Sequence, residues 1–189
     1  MDKVTEILAL LVIMTEFYIG KKYRSFQPEM PHSKRIFDKF YFYIYGTAVF
    51  LSFFLGISLN KLLSIEKIDN NIAIIIGISM VIIGYGLRFY SIWYLKDNFS
   101  VILRVNSDQK LVSSGPYKYL RHPSYTGSII ALVGLGVTSG YPLVIIMLLL
   151  FSIYITSIRI KHEEELLSKN IDGYGEYCKS TKKIIPFIY

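Results

Sequence analysis

Two short segments of the chain concentrate the residue types that bind ligands and carry out chemistry. The first, residues 111–127, reads Leu-Val-Ser-Ser-Gly-Pro-Tyr-Lys-Tyr-Leu-Arg-His-Pro-Ser-Tyr-Thr-Gly. Its Gly-Pro pair is typical of a turn, and Pro123 suits the first turn of a helix, where a missing N–H costs nothing. A helix N-terminus at this point presents free backbone donors and the positive end of the helix dipole. The segment therefore predicts a site for an anion or another polar ligand.

The second segment, residues 159–165, reads Arg-Ile-Lys-His-Glu-Glu-Glu. Arg159 and Glu163 are four residues apart, so on a helix they share one face and can reach one ligand or each other. His162 has Leu166 at the next turn instead of a second ligand, and the chain has three histidines in all. A zinc site is therefore not expected here, and we predict no metal.

Charged residues are absent from two long stretches of the chain. Hydrophobic residues make up 52% of the 189 residues and charged residues 19%, below the roughly 25% usual for soluble domains. No Asp, Glu, Lys or Arg occurs in the 37 residues from 122 to 158 or in the 21 residues from 40 to 60. A soluble domain of this size has too little interior to bury both stretches. The pattern predicts an integral membrane protein and excludes soluble enzyme folds, DNA-binding modules and disordered tails.

The apolar segments predict an all-α protein with five transmembrane helices. The candidates are residues 4–20, 40–59, 71–95 and two helices from the 122–158 run, which the turn-forming Ser-Gly-Tyr-Pro at 139–142 divides into a hairpin. Residues 1–95 then form a scaffold of three helices that faces substrate and lipid. Residues 96–189 form the catalytic, cofactor-binding region, whose tail continues the last span as a charged helix that breaks at Gly173 and Gly175. This tail is expected to fold into a helical cap.

Basic residues fall in alternate connections. Residues 21–39, residues 96–121 and the tail from Arg159 carry 17 of the 21 Lys and Arg. Because such residues mark the cytoplasmic side, we expect the N-terminus outside and both ligand-binding segments in the cytoplasm. The net charge of +7 then suits an anionic leaflet. Nucleic acid is not an expected partner, since the basic residues are divided among three connections.

A membrane location also allows a purely structural interpretation of both segments. The polar and aromatic side chains of 111–127 can simply anchor the chain at the interface, and 159–165 can be the salt-bridged end of a transmembrane helix. Three further charges, Glu6, Glu16 and Arg88, lie inside predicted spans. Ionisable groups there are functional candidates by default. One interpretation gives Arg88 a role on the substrate side or in a pair between helices, and the two acids can reach the interface or pair. The sequence alone does not decide the roles of these three residues.

The motifs, in their order along the chain, resemble those of the isoprenylcysteine carboxyl methyltransferase family, in a wider group that includes membrane phospholipid methyltransferases. They are Leu-Val-x-x-Gly-x-Tyr at 111–117, Arg-His-Pro-x-Tyr-x-Gly at 121–127, Arg159 with Glu163-Glu164, Tyr174 with Tyr177, and Pro-Phe-Ile at 186–188. The resemblance covers the second half of the chain. The first three spans match only in general character.

The resemblance implies methyl transfer from S-adenosylmethionine, bound in a pocket facing the cytoplasm, to the carboxylate of a lipidated, isoprenylcysteine-like acceptor from the bilayer. It places Arg159 at the position that binds the acceptor's carboxylate. It places ten residues at cofactor-binding positions: Gln109, where the family often has histidine, and Lys110, Leu111, Val112, Tyr117, His122, Pro123, Ser124, Tyr125 and Glu163.

Elementary chemistry agrees with these roles. A carboxylate with a pKa of about 4 is ionised at neutral pH and needs no general base. Arg159 can grip it through two parallel hydrogen bonds, and Glu163 can bind the cofactor's ammonium group. Three alternatives stay open: methylation of a phospholipid or another amine, reduction by an NADPH-dependent membrane enzyme, and a scaffold without activity.

Overall fold

The structure, a computed structural model, describes residues 3–23, 32–68, 71–101 and 109–185, without the side chains of residues 32–42 and 97. In this part of the chain the elements are α1 (Lys3–Lys22), α2 (His32–Leu62), α3 (Asn71–Leu95), α4 (Pro123–Ser139), α5 (Pro142–Asn170) and α6 (Tyr174–Ser180), with short 3-10 turns at Lys96–Asn98 and Gly115–Lys118. Extended pairing in the described residues is limited to an isolated bridge between Leu120 and Lys182. The all-α prediction is confirmed for these residues.

Three of these helices are long and apolar enough to cross a bilayer. They are Tyr43–Leu62, Asn71–Leu95 and Pro142–Asn170, with mean hydropathies of 1.4, 2.1 and 2.4. Helix α4 has 17 residues, about the short limit for a span, and α1 carries Glu6 and Glu16. An integral membrane fold is therefore confirmed, whereas five spans and their orientation remain predictions.

The surface of the bundle is apolar where a membrane would contact it. Along α1 the buried side chains are Thr5, Val12 and Ile19, which recur every seven residues and form one stripe. Leu10 and Met14, on the other faces, are 60% and 66% exposed. Contiguous apolar surface of this extent suits hydrocarbon.

Glycines bring α3 and α4 into backbone contact. A Cβ atom on Gly84 would lie 2.5 Å from the carbonyl oxygen of Gly127, and one on Gly77 would lie 2.6 Å from that of Gly134. Small residues at such positions let transmembrane helices approach closely. The helix α3, which carries Arg88, is thereby fixed against the first turn of α4.

The hairpin between α4 and α5 turns where the sequence predicts it. Gly140 ends α4 with a φ of 71°, and Pro142 begins α5. After α5, Gly173 has a φ of 77° and precedes α6, but Gly175 lies within that helix. The prediction that Gly175 breaks the tail helix is therefore wrong, because one left-handed residue is enough to turn the chain.

Candidate functional site

The first turn of α4 is held in place by the C-terminal tail. The amide N–H groups of Arg121 and His122 donate to the carbonyl oxygens of Lys182 and Lys183 over 2.7 and 3.0 Å. Thr126 donates its hydroxyl to the carbonyl of Ile184 over 2.7 Å. The prediction of free backbone donors at this helix start is therefore wrong for the N-cap residue His122, whose amide binds the tail, as does the amide of Arg121 before it.

A cluster of charged side chains joins the same turn to α5. The Glu164 carboxylate accepts from Arg121 Nε at 2.7 Å and lies 3.3 Å from both His122 Nε2 and Lys183 Nζ. The Arg121 guanidinium also donates to the backbone carbonyls of Cys178, at 3.0 Å, and Thr181. One acid on α5 thus holds together the start of α4 and the tail.

Tyr125 links the two key charges of α5. Its hydroxyl donates to Glu163 Oε2 over 2.8 Å and accepts from Arg159 Nε over 3.2 Å. A second guanidinium nitrogen of Arg159 donates to the Val101 carbonyl, and Arg159 is 3% exposed. A phenol suits this place, since a hydroxyl donates to a carboxylate and accepts from a guanidinium at once.

Tyr125, Arg159 and Glu163 line a cavity of about 490 Å³ between α1, α2, α3, α4, α5 and the tail. Its size falls within the roughly 300–1,000 Å³ of small-molecule sites. Arg159 and nine of the ten predicted cofactor-binding residues line it: Gln109, Lys110, Leu111, Val112, Tyr117, His122, Ser124, Tyr125 and Glu163. Pro123 is buried in the first turn of α4 and is absent from this lining. The Pro-Phe-Ile motif at 186–188 lies outside the described residues.

The tail supplies part of the cavity wall that sequence reasoning did not assign to the site. Ile171, Tyr174 and Tyr177 all line it. Tyr177 donates its hydroxyl to the Tyr117 carbonyl over 2.6 Å, and burial raises the pKa of Tyr177 to about 12. The Tyr174 hydroxyl is buried with no hydrogen-bond partner among the described residues. The Tyr-x-x-Tyr motif was the available signal, and a buried unpaired hydroxyl in a cavity wall marks a place where a ligand can bind.

A second charged pair lies where helices α1 and α3 meet the cavity. Arg88 donates from Nη2 to Glu16 Oε2 over 2.8 Å, and Tyr85 donates its hydroxyl to Glu16 Oε1 over 3.2 Å. From Nη1, Arg88 donates to the hydroxyl oxygens of Ser124 and Ser128 over 3.2 and 2.6 Å. Arg88 therefore pairs between helices, which is one of the roles that the sequence left open. Glu6, by contrast, is an exposed residue of α1.

Metal-binding side chains do not cluster in the part of the chain that the structure describes. No group of three or more His, Cys, Asp or Glu side chains is suitably placed there.

Comparison with known proteins adds independent information. The sequence model described as "Isoprenylcysteine carboxyl methyltransferase (ICMT) family" matches residues 75–169. A probable protein-S-isoprenylcysteine O-methyltransferase of Oryza sativa subsp. indica is 34% identical over 60% of this chain and 61% of its own. A nickel-cobalt-cadmium resistance protein, NccN, of Alcaligenes xylosoxydans xylosoxydans is 30% identical over 59% of this chain and 47% of its own. The match thus spans about half to three fifths of these relatives.

A solved structure has a similar fold. The eukaryotic intramembrane Ras methyltransferase ICMT superposes with a TM-score of 0.63 and 27% sequence identity, over 85% of this chain and 55% of that one. The matched family segment includes Arg88, the first turn of α4 and the Arg159–Glu163 face. The chain therefore belongs to the isoprenylcysteine carboxyl methyltransferase family.

Proposed function

We propose that this protein transfers a methyl group from S-adenosylmethionine to the carboxylate of a lipidated, isoprenylcysteine-like acceptor at the cytoplasmic face of the membrane. The observation that carries the proposal is the bridge formed by the Tyr125 hydroxyl, which is hydrogen-bonded to both Arg159 and Glu163. It places a buried guanidinium and a carboxylate, from Arg159 and Glu163, side by side in one cavity. The family and its named relatives support the same activity.

The donor fits the end of the cavity formed by α5 and the tail. Glu163 offers a carboxylate whose side chain is 30% exposed, suited to an ammonium group. Leu111, Leu167 and Ile171 supply apolar surface, and the unpaired hydroxyl of Tyr174 offers a polar contact. S-adenosylmethionine supplies a methyl group on a positively charged sulfur, so the carbon–sulfur bond breaks toward sulfur as a carbon–oxygen bond forms, and no proton moves.

Arg159 fits the acceptor's carboxylate. Its Nε donates to the Tyr125 hydroxyl, and a second guanidinium nitrogen donates to the Val101 carbonyl. The orientation of the guanidinium is therefore set before the acceptor arrives. A buried, fixed guanidinium binds a carboxylate by charge and by geometry. Because the carboxylate is already ionised at neutral pH, the protein's task is to position it and to exclude water.

The apolar part of the cavity fits the acceptor's lipid. It is lined by Val12 and Ile13 of α1 and by Val49, Phe50 and Phe53 of α2. The same cavity therefore joins a polar end, where the carboxylate is held, to an apolar end between helices that face hydrocarbon. A lipidated carboxylate has this division of polarity.

Calorimetric titration of S-adenosylmethionine and its demethylated product into the detergent-solubilised full chain tests the donor site. We expect both to bind, and Glu163→Gln to weaken donor binding at least tenfold, as for loss of a hydrogen bond to a charged group. Glu165→Gln is the matched control, since Glu165 is exposed on the same helix and outside the cavity lining. Equal affinity in both variants would remove Glu163 from the donor site, and no binding to the wild type would overturn the proposed function.

A transfer assay with labelled donor and prenylated carboxylates then tests the acceptor. We expect label to appear in a methyl ester, which mild alkali hydrolyses. Label in an alkali-stable product would contradict the carboxylate assignment.

A further inference from the structure

The Glu164 carboxylate lies outside the cavity lining, yet it binds a side chain that belongs to that lining, His122. Its Oε1 accepts from Arg121 Nε at 2.7 Å and lies 3.3 Å from His122 Nε2, and its Oε2 lies 3.3 Å from Lys183 Nζ. Two neighbouring cations favour the ionised form of a carboxylate. Because an ionised carboxylate only accepts hydrogen bonds, the proton shared with His122 belongs to the ring nitrogen Nε2.

This contact decides what the other ring nitrogen of His122 can do. A neutral imidazole carries one proton, and the hydrogen bond made by one nitrogen selects the state of the other. With the proton on Nε2, Nδ1 is an acceptor. The His122 side chain is 3% exposed and its ring stacks on that of Tyr125, with the centroids 5.7 Å apart. Burial and stacking thus hold the ring in this orientation.

The Nδ1 atom of His122 lies beside the carboxylate proposed for the donor's ammonium group. It is 3.9 Å from Glu163 Oε2, too far for a hydrogen bond between the two. Both residues line the cavity. An ammonium group has three N–H donors, so one such group can bond to both acceptors. A ring with its proton on Nδ1 would instead turn an N–H toward the ammonium and repel it.

We propose that Glu164 is a positioning residue of the donor site, which keeps the His122 proton on Nε2 so that Nδ1 and Glu163 together accept the donor's ammonium group. The inference rests on the proposed function, which names the donor, and adds a residue to its site. In this assignment Glu164 touches no reactant and acts through His122. A residue that only tied the tail to α4 would affect every ligand of the cavity alike.

The tautomer of His122 can be measured directly by nuclear magnetic resonance. The chain has three histidines, so the variant His32→Gln/His162→Gln, produced without a polyhistidine tag, leaves His122 as its single imidazole. Two-bond proton–nitrogen spectra distinguish a ring nitrogen that carries a proton from one that does not. With the demethylated donor product bound at about pH 8, where an ordinary imidazole is neutral, we expect the proton on Nε2. A proton on Nδ1, alone or in addition, overturns the inference.

A pair of ligands then tests the consequence for binding. The demethylated donor product carries the ammonium group, and in its desamino analogue hydrogen replaces that group. Calorimetric titration into the detergent-solubilised full chain gives both dissociation constants. We expect the wild type to bind the product at least about tenfold more tightly than the analogue, as for hydrogen bonds to charged groups. Equal affinity for the two overturns the inference.

Glu164→Met assigns this preference to Glu164. Methionine keeps the side-chain length and removes both oxygens, and Arg121 retains the carbonyl oxygens of Cys178 and Thr181 as acceptors. The His122 proton should then move to Nδ1, which faces the remaining carboxylate of Glu163. We expect the ratio of the two constants to fall to between about one and three while the analogue's affinity changes no more than about threefold. Glu165→Met, at the exposed neighbouring position, should keep the wild-type ratio.

Equal weakening of both ligands in Glu164→Met, with an unchanged ratio, would show a structural role only and reject the inference. If that variant does not fold, the wild-type tautomer and the wild-type ratio decide. The outcome is also separate from that of the proposed function. If the ammonium preference depends on Glu164 but no prenylated carboxylate is methylated, the positioning role stands and the reaction assignment fails. If methyl esters form but the ratio is unchanged in Glu164→Met, the reaction stands and the positioning role is rejected.

Discussion

At the scale of single residues, the Tyr125 hydroxyl connects the two charged side chains of the site. By contacting both Arg159 and Glu163, it ties the group proposed for the acceptor to the group proposed for the donor. Relative positions of reacting groups matter because a displacement on carbon needs the two reactants in line. A small change at this hydroxyl is therefore expected to affect the reaction more than the affinity for either ligand.

The corresponding prediction is that Tyr125→Phe lowers the maximal rate about tenfold or more, in line with loss of a hydrogen bond to charged groups, while donor affinity changes no more than threefold. Tyr119→Phe serves as control, since Tyr119 is 58% exposed and does not line the cavity. Rate measurements at saturating donor and acceptor give the answer. An unchanged rate in Tyr125→Phe would show that the bridge is structural only.

Arg159→Lys separates the two ligands. Lysine keeps the charge but loses the planar two-point grip, so turnover at low acceptor concentration should fall at least tenfold while donor affinity stays nearly constant. Donor titration and initial rates on the same preparation measure both effects. Near-normal turnover would refute the carboxylate clamp, and weaker donor binding would place Arg159 on the donor side.

At the scale of helices, the backbone contact of α3 with α4 positions the site. Gly84 faces Gly127 one helical turn from Arg88 and its serine partners. A methyl group there must push the helices apart, because the nearest atoms are backbone. The side of the cavity that carries Arg88 would then move away from the start of α4.

We therefore expect Gly84→Ala to destabilise the protein by about 1 to 3 kcal/mol, as overpacking does. Gly86→Ala is the matched control on the same helix, since a Cβ atom there meets nothing within 4 Å. It should be neutral or slightly stabilising, because alanine favours helix more than glycine does. Thermal unfolding in one detergent compares the two. Similar midpoints for both variants would mean that the helices separate at little cost.

Some helices and contacts could be predicted from the sequence and others could not. Apolar length and the Ser-Gly-Tyr-Pro turn located the boundary between α4 and α5 closely. Glu16 and Arg88 stood out as charges in apolar segments, but their pairing depends on how α1 and α3 are rotated, which no local pattern encodes. The cavity's tail wall, with Ile171 and Tyr174, was also missed, although the Tyr-x-x-Tyr motif marked part of it. The resemblance supplied the roles of the remaining site residues.

Taken as a whole molecule, the chain combines an apolar bundle with a polar end closed by its tail. The tail contributes backbone acceptors to Arg121 and His122 and a lysine to Glu164, so the cavity's polar wall is completed by residues far along the sequence. With the apolar wall on α1 and α2, the cavity is lined by residues from nearly the full length of the chain. Neither the predicted scaffold of residues 1–95 nor residues 96–189 contains it alone.

The pH dependence of the whole reaction distinguishes the carboxylate acceptor from an amine. A carboxylate with a pKa of about 4 is fully ionised above neutral pH. The rate constant at low acceptor concentration, corrected for the donor affinity measured at each pH, should therefore be constant between about pH 7 and pH 9. An amine must lose its proton before it attacks, so its methylation should rise nearly tenfold per pH unit below the amine's pKa. The comparison uses a prenylated carboxylate and a phosphatidylethanolamine in the same nanodiscs. A steep rise of the rate with pH, together with faster methylation of the amine lipid, would assign this member of the family to amine methylation. The polar end of the cavity would then bind a neutral nitrogen in place of an anion.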